Sequence, residues 1–353
     1  MTDWLSRAQR EGTPLLDGDQ VTFVWEGKTA PRLTGDFTHW AAENLTQAAP
    51  GLWTHTLTLP RDAYIEYAYL LDGERVPDPF NKRQITNGID AMNHYFSMPD
   101  AVHTTLVKSP RGGLRGTLTR HMIDGGIMTA GGKRPVWLYQ PPTDQPCPLL
   151  VVWDGKDYAT RAKLPTIVDN LIAQGRIEPL ALAMPQHGGR GRFVEYMCND
   201  ATLGFLMFFV VSLAKQHLNL LEIETRPGAF GILGASLGGL MALYTGLRLP
   251  HIFGRVISQS GGFGFEIDGQ ESVIFDLVRQ ARVKPGHISM DVGRYEWLLP
   301  SNRKMADVLQ SSGYHMAYQE YNGGHNYTSW RDQIGRELET AFGKMSAKAA
   351  IKN

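Results

Sequence analysis

The chain has 353 residues, of which 42% are apolar and 20% are charged, and its 35 basic and 35 acidic side chains cancel. This size and composition are typical of a globular protein with one or two domains and a substantial core. Because the formal net charge is zero, no overall field draws the chain to nucleic acid or to an anionic membrane, and we expect neither as a partner. Two cysteines, Cys147 and Cys198, are too few for a disulfide framework.

The amino-terminal residues MTDWLSRAQREGTPLL show no basic start followed by an apolar run, so no secretory signal is predicted and we expect a cytosolic protein. The most apolar stretch is LGFLMFFVVSL, residues 203–213. It is shorter than the roughly 20 residues that a membrane-spanning helix needs. We therefore predict a buried helix there.

Up to about residue 105, apolar and polar residues alternate in short runs that end in turn-forming residues. The clearest runs are VTFVW (21–25), LWTHTLTLP (52–60) and YIEYAYLLDG (64–73). Short alternating strands without a long helical pattern predict a β-sandwich. The segment SPRGGLRG, residues 109–116, is the predicted connector, so we divide the chain into domains 1–108 and 109–353.

After the connector, two adjacent strands are followed by strands that alternate with helices. The predicted strands are TLTRHMI, RPVWLYQPP, PLLVVWDG, PLALAMPQ, GAFGILGAS, FGRVISQSGG, GHISMDVG and YHMAYQEYNGG. The predicted helices are LPTIVDNLIAQG, residues 201–217, LGGLMALYTGL, SVIFDLVRQAR, NRKMADVLQSSG and YTSWRDQIGRELETAF. This alternation predicts an α/β domain with a mainly parallel sheet and helices on both faces.

Ser236 stands where a buried predicted strand passes directly into a helix, in the stretch GILGASLGGL. A nucleophilic serine on such a strained turn needs small neighbours, which Gly234, Gly238 and Gly239 supply. The alternative is a plain strand–helix joint with glycines for packing. The residues farther along the chain bear on this choice.

His325 follows the last predicted strand, in GGHNYTSW, and two carboxylates, Asp291 and Glu296, stand near the end of the strand before it. The order serine, acid, histidine is the one that α/β-hydrolases use. We predict Ser236 as nucleophile and His325 as base. Either carboxylate can be the acid, and we favour Glu296 because a loop residue reaches a histidine more easily than a residue within a strand.

The predicted oxyanion hole combines the amide of Leu237 with that of Gly155 or Lys156, in the loop after VVWDG. A simple turn at Asp154-Gly155 is the alternative. The eleven histidines form no HExxH motif, so we expect no metal site and no cofactor.

The chain resembles the enterochelin (enterobactin) esterases, within a broader esterase group of α/β-hydrolases, over roughly residues 110–345. The resemblance lies in GILGASLGGLMALYTGLRLPHIFGRVISQSGGF and in VVWDGKDY, GRFVEYMCND, DVGRYEWLLPSNRKM and GGHNYTSWRDQI. It implies hydrolysis of ferric catecholate siderophores, with Ser236, His325 and Glu296 as the triad. It also implies that Arg192, Glu195 and Asn199 line the substrate cleft; a salt bridge that braces a long loop is the alternative for this segment.

The amino-terminal half, with GDFTHW, LWTHTLTLP, YIEYAYLLDG and DPFN, resembles the immunoglobulin-like early-set domains related to glycogen-binding modules. Trp40 and Trp53 can stack on sugar or catechol rings or belong to the core of the sandwich, and the second interpretation is favoured.

Three functions remain open. The favoured one is a siderophore esterase, whose anionic substrate requires a basic cleft; the candidates in the loops are Lys156, Arg161, His187, Arg190 and Arg192. The second is a feruloyl or acetyl esterase of polysaccharides, against which the missing signal counts. The third is a polysaccharide-binding protein without catalysis, against which the intact triad residues count. The sequence does not set the oligomeric state.

Overall fold

The computed structural model describes residues 3–88, 91–110, 115–130, 132–265 and 269–343. The chain divides into two compact units. The first consists of Met1–His103 together with two segments from far along the chain, Gly293–Trp297 and Glu320–Ser329. The second consists of the remaining segments, Thr104–Val292, Leu298–Gln319 and Trp330–Asn353. The domain boundary at 108/109 stays a prediction, and residues 111–114 of the predicted connector lie outside the described residues.

Among the described residues, the amino-terminal part of the first unit contains one α-helix and ten strands. They are α1 (Trp4–Glu11), β1 (Leu15–Asp17), β2 (Gln20–Glu26), β3 (Arg32–Gly35), β4 (Glu43–Asn44), β5 (Thr46–Ala49), β6 (Leu52–Thr58), β7 (Tyr64–Leu71), β8 (Glu74–Val76), β9 (Gln84–Thr86) and β10 (Met92–Ser97). One sheet has the order β1-β2-β6-β5 and the other β4-β3-β7-β10-β9, with β8 paired to β7. Every pairing between these strands is antiparallel.

Aromatic and aliphatic side chains from both sheets form the core of this unit. Phe23 of β2 lies 4.9 Å from Tyr67 of β7 and 5.9 Å from Phe96 of β10, measured between ring centroids and with edge-on geometry. All three are fully buried. Rings in this arrangement contribute more attractive energy than burial of their area alone would give. They hold the two sheets face to face as a sandwich.

The second unit is built on an eight-stranded sheet. Its strands are β11 (Thr117–Asp124), β12 (Lys133–Gln140), β13 (Leu149–Val152), β14 (Ala181–Pro185), β15 (Phe230–Ala235), β16 (Phe253–Gln259), β17 (His287–Gly293) and β18 (Met316–Tyr321). Its helices are α2 (Gly155–Thr160), α3 (Leu164–Ala173), α4 (Arg192–Tyr196), α5 (Asp200–Phe205), α6 (Ser212–His217), α7 (Leu237–Arg248), α8 (Val273–Gln280), α9 (Leu299–Ser311) and α10 (Tyr327–Phe342).

The strand order is β11-β12-β14-β13-β15-β16-β17-β18, and β14, β13, β15, β16 and β17 pair in parallel. The central strands β13, β14 and β15 are buried along their whole length. This explains why their sequences are continuous apolar runs rather than alternating ones. An antiparallel sandwich followed by a mainly parallel sheet with helices confirms the predicted fold class.

Two elements differ from the prediction. Helix α1 was not predicted; Asp3 caps it by accepting a hydrogen bond from the Ser6 amide at 3.1 Å, and Ala8 is its one buried residue. The predicted helix over 201–217 is interrupted, because residues Leu206–Val211 between α5 and α6 form a π-helix. Among the described residues no single helix has the length and apolar character to cross a membrane, and only a pair bent by 105°, 189–196 with 200–217, passes that test jointly.

Candidate active site

Ser236 lies on a strained turn between β15 and α7, with φ 58° and ψ −125°. Such a conformation is costly for a residue with a side chain and persists only where the surroundings enforce it. A Cβ at position 234 would lie 2.2 Å from the carbonyl oxygen of Gly238, and one at 239 would lie 2.7 Å from Ser258 Oγ. The turn therefore requires glycine at 234, and a side chain at 239 would have to displace the Ser258 hydroxyl, which agrees with the small neighbours that the sequence pattern predicts.

The amide of Leu237 begins helix α7, where the first N–H groups have no partner within the helix. Among the described residues, none accepts a hydrogen bond from the amide of Leu237 or Gly155, whereas the Lys156 amide donates to Gln186 Oε1 at 2.8 Å. A Cβ at Gly238 would lie 3.2 Å from Asp154 Oδ2, so the start of α7 is next to the loop that carries Gly155. Of the two candidates in that loop, Gly155 has the available donor.

Arg192 pairs with Asp154 through two hydrogen bonds, Nε to Oδ1 at 2.8 Å and Nη2 to Oδ2 at 2.6 Å. Asp154 is buried and has a positive φ of 57°. Its amide also donates to the Tyr196 hydroxyl at 3.3 Å. Two parallel charge-assisted bonds hold a carboxylate in one orientation, so Arg192 fixes the strained residue that precedes Gly155.

Glu195 is a buried ion-pair partner of Arg134, with Nη1 to Oε2 and Nη2 to Oε1 both at 2.8 Å. It also accepts hydrogen bonds from the amides of Ala130 and Gly188. Asn199 caps helix α5 by accepting from the Ala201 amide. The contacts of Arg192, Glu195 and Asn199 are thus those of the bracing alternative, and substrate contact by these residues stays a prediction.

In the first unit, the buried Glu296 and the half-buried His325 form a hydrogen bond of 2.5 Å between Oε2 and Nδ1. The other carboxylate oxygen, Oε1, accepts from the Gly293 amide at 2.6 Å. An imidazole held this way carries its proton on Nδ1 and presents Nε2 as a base. This is the geometry expected of the acid and histidine of a catalytic triad, and the catalytic roles of the two residues stay predictions.

Asp291, the other candidate for the acid, lies within β17 of the second unit and is fully buried. Its Oδ2 accepts a hydrogen bond from Gln259 Nε2 at 2.9 Å. Gln259 in turn accepts from the Tyr158 hydroxyl at 2.9 Å. Burial and the nearby Asp291 carboxylate raise the pKa of Tyr158, so its neutral hydroxyl is a stable donor. Asp291 therefore belongs to a polar network inside the sheet.

Trp297 is a candidate site residue that sequence reasoning missed. Its ring lies 4.7 Å from that of His325, and 56% of its surface is exposed. A large exposed aromatic side chain against the histidine can receive a planar part of a substrate. Its position directly after Glu296 was the available signal.

The predicted basic residues differ in their pairing. Arg161 lies 3.5 Å from Asp157 and Arg192 is neutralised by Asp154. Burial lowers the pKa of His187, which favours its neutral form. The side chains of Lys156 and Arg190 are exposed, and no described residue forms an ion pair with either.

The comparisons with known proteins bear on the family and the fold of the chain. The model of the family described as "Putative esterase" matches residues 128–341. The iron(III) enterobactin esterase of Dickeya dadantii is 29% identical over 220 residues, which cover 56% of this chain and 49% of that protein. The iron(III) salmochelin esterase of Escherichia coli O6:H1 is 25% identical over an alignment of 387 residues, covering 95% of this chain and 92% of the relative.

Among solved structures, the enterobactin esterase from Shigella flexneri, crystallised in the presence of enterobactin, has a TM-score of 0.76. The two chains are 19% identical, and the match covers 93% of this chain and 94% of the other. At that identity the likeness establishes the fold. The family match spans more than half of the chain, and the chain therefore belongs to this esterase family of carboxylic ester hydrolases.

Proposed function

We propose that the chain is a cytosolic serine esterase that hydrolyses the serine ester bonds of a ferric catecholate siderophore and so releases iron. The observation that carries the ester-hydrolase part is the hydrogen bond between Glu296 and His325. The siderophore part is supported by the relatives, which are iron(III) enterobactin and salmochelin esterases. The chain spans about half the length of the Dickeya relative, 49%, and most of the salmochelin relative, 92%.

In the proposed mechanism, Ser236 Oγ attacks the ester carbonyl while His325 Nε2 takes the hydroxyl proton. Glu296 holds the imidazole in the required tautomer and stabilises its charged form. The oxyanion accepts hydrogen bonds from the amides of Leu237 and Gly155. His325 then protonates the leaving alkoxide, and water opens the acyl-serine by the same steps in reverse. The pairing of Ser236 with His325 in this mechanism rests on their order in the chain and on the membership of the esterase family.

The proposed substrate is strongly anionic. Of the predicted basic residues, the exposed Lys156 and Arg190 form no ion pair with a described residue and can attract it. We expect Lys156→Glu and Arg190→Glu to raise KM for ferric enterobactin by about tenfold, because a reversed charge repels the anion. KM for neutral p-nitrophenyl butyrate should stay within about twofold. Lys215→Glu, a reversal at an exposed lysine of α6, is the matched control. Equal changes with both esters would contradict a role for these cations in binding.

The direct test is mass spectrometry of the purified protein with ferric enterobactin, a feruloylated arabino-oligosaccharide and p-nitrophenyl butyrate in one mixture. We expect release of dihydroxybenzoyl-serine to exceed the other products, and Ser236→Ala to abolish it. Release of ferulate instead would establish a polysaccharide esterase. Unchanged turnover in Ser236→Ala would refute the nucleophile, and no turnover of any ester would refute the hydrolase itself.

A further inference from the structure

The loop that carries His325 packs with the amino-terminal sandwich in the same compact unit. We call residues Glu320–Ser329 the histidine loop. The Tyr64 amide, at the start of β7, donates a hydrogen bond to the carbonyl of Asn322 at 3.0 Å. The Asn322 side chain donates to Asp62 Oδ1 at 2.7 Å. The sandwich therefore holds the loop three residues before the histidine.

Directly before His325, the backbone of Gly324 lies against the carboxyl group of Asp36. A Cβ on Gly324 would lie 2.1 Å from Asp36 Cγ, a distance that real atoms do not reach. Glycine is required here by contact rather than by backbone conformation, because φ of Gly324 is not in the left-handed region. The histidine loop thus packs directly against Asp36, with no room for a side chain at position 324.

Asp36 is itself held rigidly. It is buried, its Oδ2 accepts from the Glu66 amide at 2.8 Å, and its Oδ1 accepts from Trp40 Nε1 at 3.1 Å. The turn between Asp36 and Trp40 is tightened by the Thr38 hydroxyl, which lies 3.1 Å from the Gly35 amide. The turn formed by GDFTHW thus holds the Asp36 carboxyl group in one position against the histidine loop.

We propose that Asp36 is a positioning residue for His325: it supports Gly324, and so keeps the imidazole in hydrogen-bonding register with Glu296. This inference rests on the proposed role of His325 as the catalytic base. Burial, with further contributions from Glu66 and Glu296, raises the pKa of Asp36 well above its usual range. The direction of this shift disfavours a second negative charge next to the Glu296–His325 pair.

The test is a double-mutant cycle of Asp36→Ala and Gly324→Ala. Gly324→Ala forces the loop away from the carboxyl group, and a displacement of about 1 Å at a catalytic group costs about 10²-fold in rate. We expect kcat for p-nitrophenyl butyrate to fall by about that factor while KM stays within about threefold. Because Asp36→Ala removes the obstacle, Gly324→Ala should cost less than about threefold in that background.

A second readout does not require hydrolysis. The proton between His325 Nδ1 and Glu296 should give a far-downfield NMR resonance in the wild type, because a short charge-assisted hydrogen bond deshields it. We expect Gly324→Ala and Asp36→Ala to shift or remove this resonance. Asp78→Asn is the control, since Asp78 is a buried carboxylate of the same sandwich whose partners are Thr13, Tyr67 and the amide of Phe80. It should leave the resonance and kcat unchanged.

Additive losses in the cycle, or a resonance that neither variant changes, would overturn the positioning role. Equal losses in Asp78→Asn would do the same, because they would show a general effect of destabilising the sandwich. If the single variants fail to fold, Trp40→Phe, which removes one donor to Asp36, should still lower kcat several-fold and shift the resonance. A wild type that hydrolyses no ester would refute the proposed function, and the resonance would still decide the role of Asp36.

Discussion

Replacing Glu296 by glutamine tests the acid–histidine pair most directly, because the two oxygens of this carboxylate accept from two different donors. Oε2 accepts from His325 Nδ1 at 2.5 Å and Oε1 from the Gly293 amide at 2.6 Å. A glutamine has one oxygen and one NH₂ group. In either orientation it can satisfy only one of the two donors, and the other faces an N–H at short range.

If the amide NH₂ group faces the imidazole, His325 takes the wrong tautomer and loses its base at Nε2. If it faces Gly293 instead, a buried amide is left unpaired at a cost of about 1–3 kcal/mol, and the imidazolium still lacks a countercharge. Loss of the acid's charge in a serine–histidine–acid triad costs about 10⁴-fold in kcat, which is about 5.4 kcal/mol in the barrier. We expect a fall of about 10³- to 10⁴-fold in Glu296→Gln, with KM changed by less than about threefold.

The assay is steady-state hydrolysis of p-nitrophenyl butyrate, with circular dichroism to verify folding. Asp291→Asn is the matched control, because asparagine Oδ1 can still accept from Gln259 Nε2, which donates to Asp291 at 2.9 Å. We expect it to retain activity within about tenfold, since loss of one network charge leaves the neutral hydrogen bonds in place. A large loss in Asp291→Asn together with near-normal activity in Glu296→Gln would exchange the roles of the two residues.

Three further predictions concern stability and the loop beside the elbow. Gly234→Ala places a methyl group 2.2 Å from the Gly238 carbonyl oxygen, so we expect a loss of about 1–3 kcal/mol or failure to fold, measured by urea denaturation; a stable variant would show that Ser236 is not on an enforced turn. Arg192→Lys cannot form both bonds to Asp154, so kcat should fall by a similar factor for anionic and neutral esters, whereas a rise in KM for the anionic ester alone would make Arg192 a substrate ligand. Burial, with the nearby His315 and Arg255 charges, lowers the pKa of His287 to about 4. Between about pH 6.5 and 4 the unfolded chain therefore binds more protons than the folded one, so the free energy of unfolding should decrease as the pH is lowered through this window. His287→Gln should reduce that decrease by about 1–2 kcal/mol, a figure discounted for the partial exposure of the ring. The same pH profile in the variant and the wild type would contradict this origin.

The sequence predicts those parts of the fold that depend on local periodicity. The buried run FGILGA and the glycines around Ser236 identify β15, the elbow and α7. These elements can be predicted because their structure depends on residues that are adjacent in the sequence. Helix α1 is missed because its eight residues are fewer than the roughly 11–18 over which helical periodicity is read from a sequence. The π-helix at Leu206–Val211 is missed because apolar spacing cannot distinguish continuous α-helix from a single wider turn.

The candidate site shows the same division between local and distant effects. The order of Ser236, Glu296 and His325 can be read from the sequence, and so can the preference for a loop carboxylate over one within a strand. The pairing of Arg192 with Asp154 cannot, because the two residues are 38 positions apart and both are common loop residues. The resemblance to the family predicts that Arg192 lies near the substrate. Its contacts show instead that it holds Asp154, the residue before Gly155.

The aromatic residues of the sandwich have a bearing on the choice between siderophore and polysaccharide. A tryptophan that stacks on sugar needs a free ring face, but Arg75 lies 5.2 Å from the centre of the Trp40 ring, and Trp40 Nε1 donates to Asp36. Trp53 donates to the Gly27 carbonyl at 3.0 Å and packs against the sandwich core. Both side chains thus stabilise the sandwich, and one of them holds the residue that supports the histidine loop. These contacts therefore favour a structural role for the two tryptophans over capture of a polysaccharide chain.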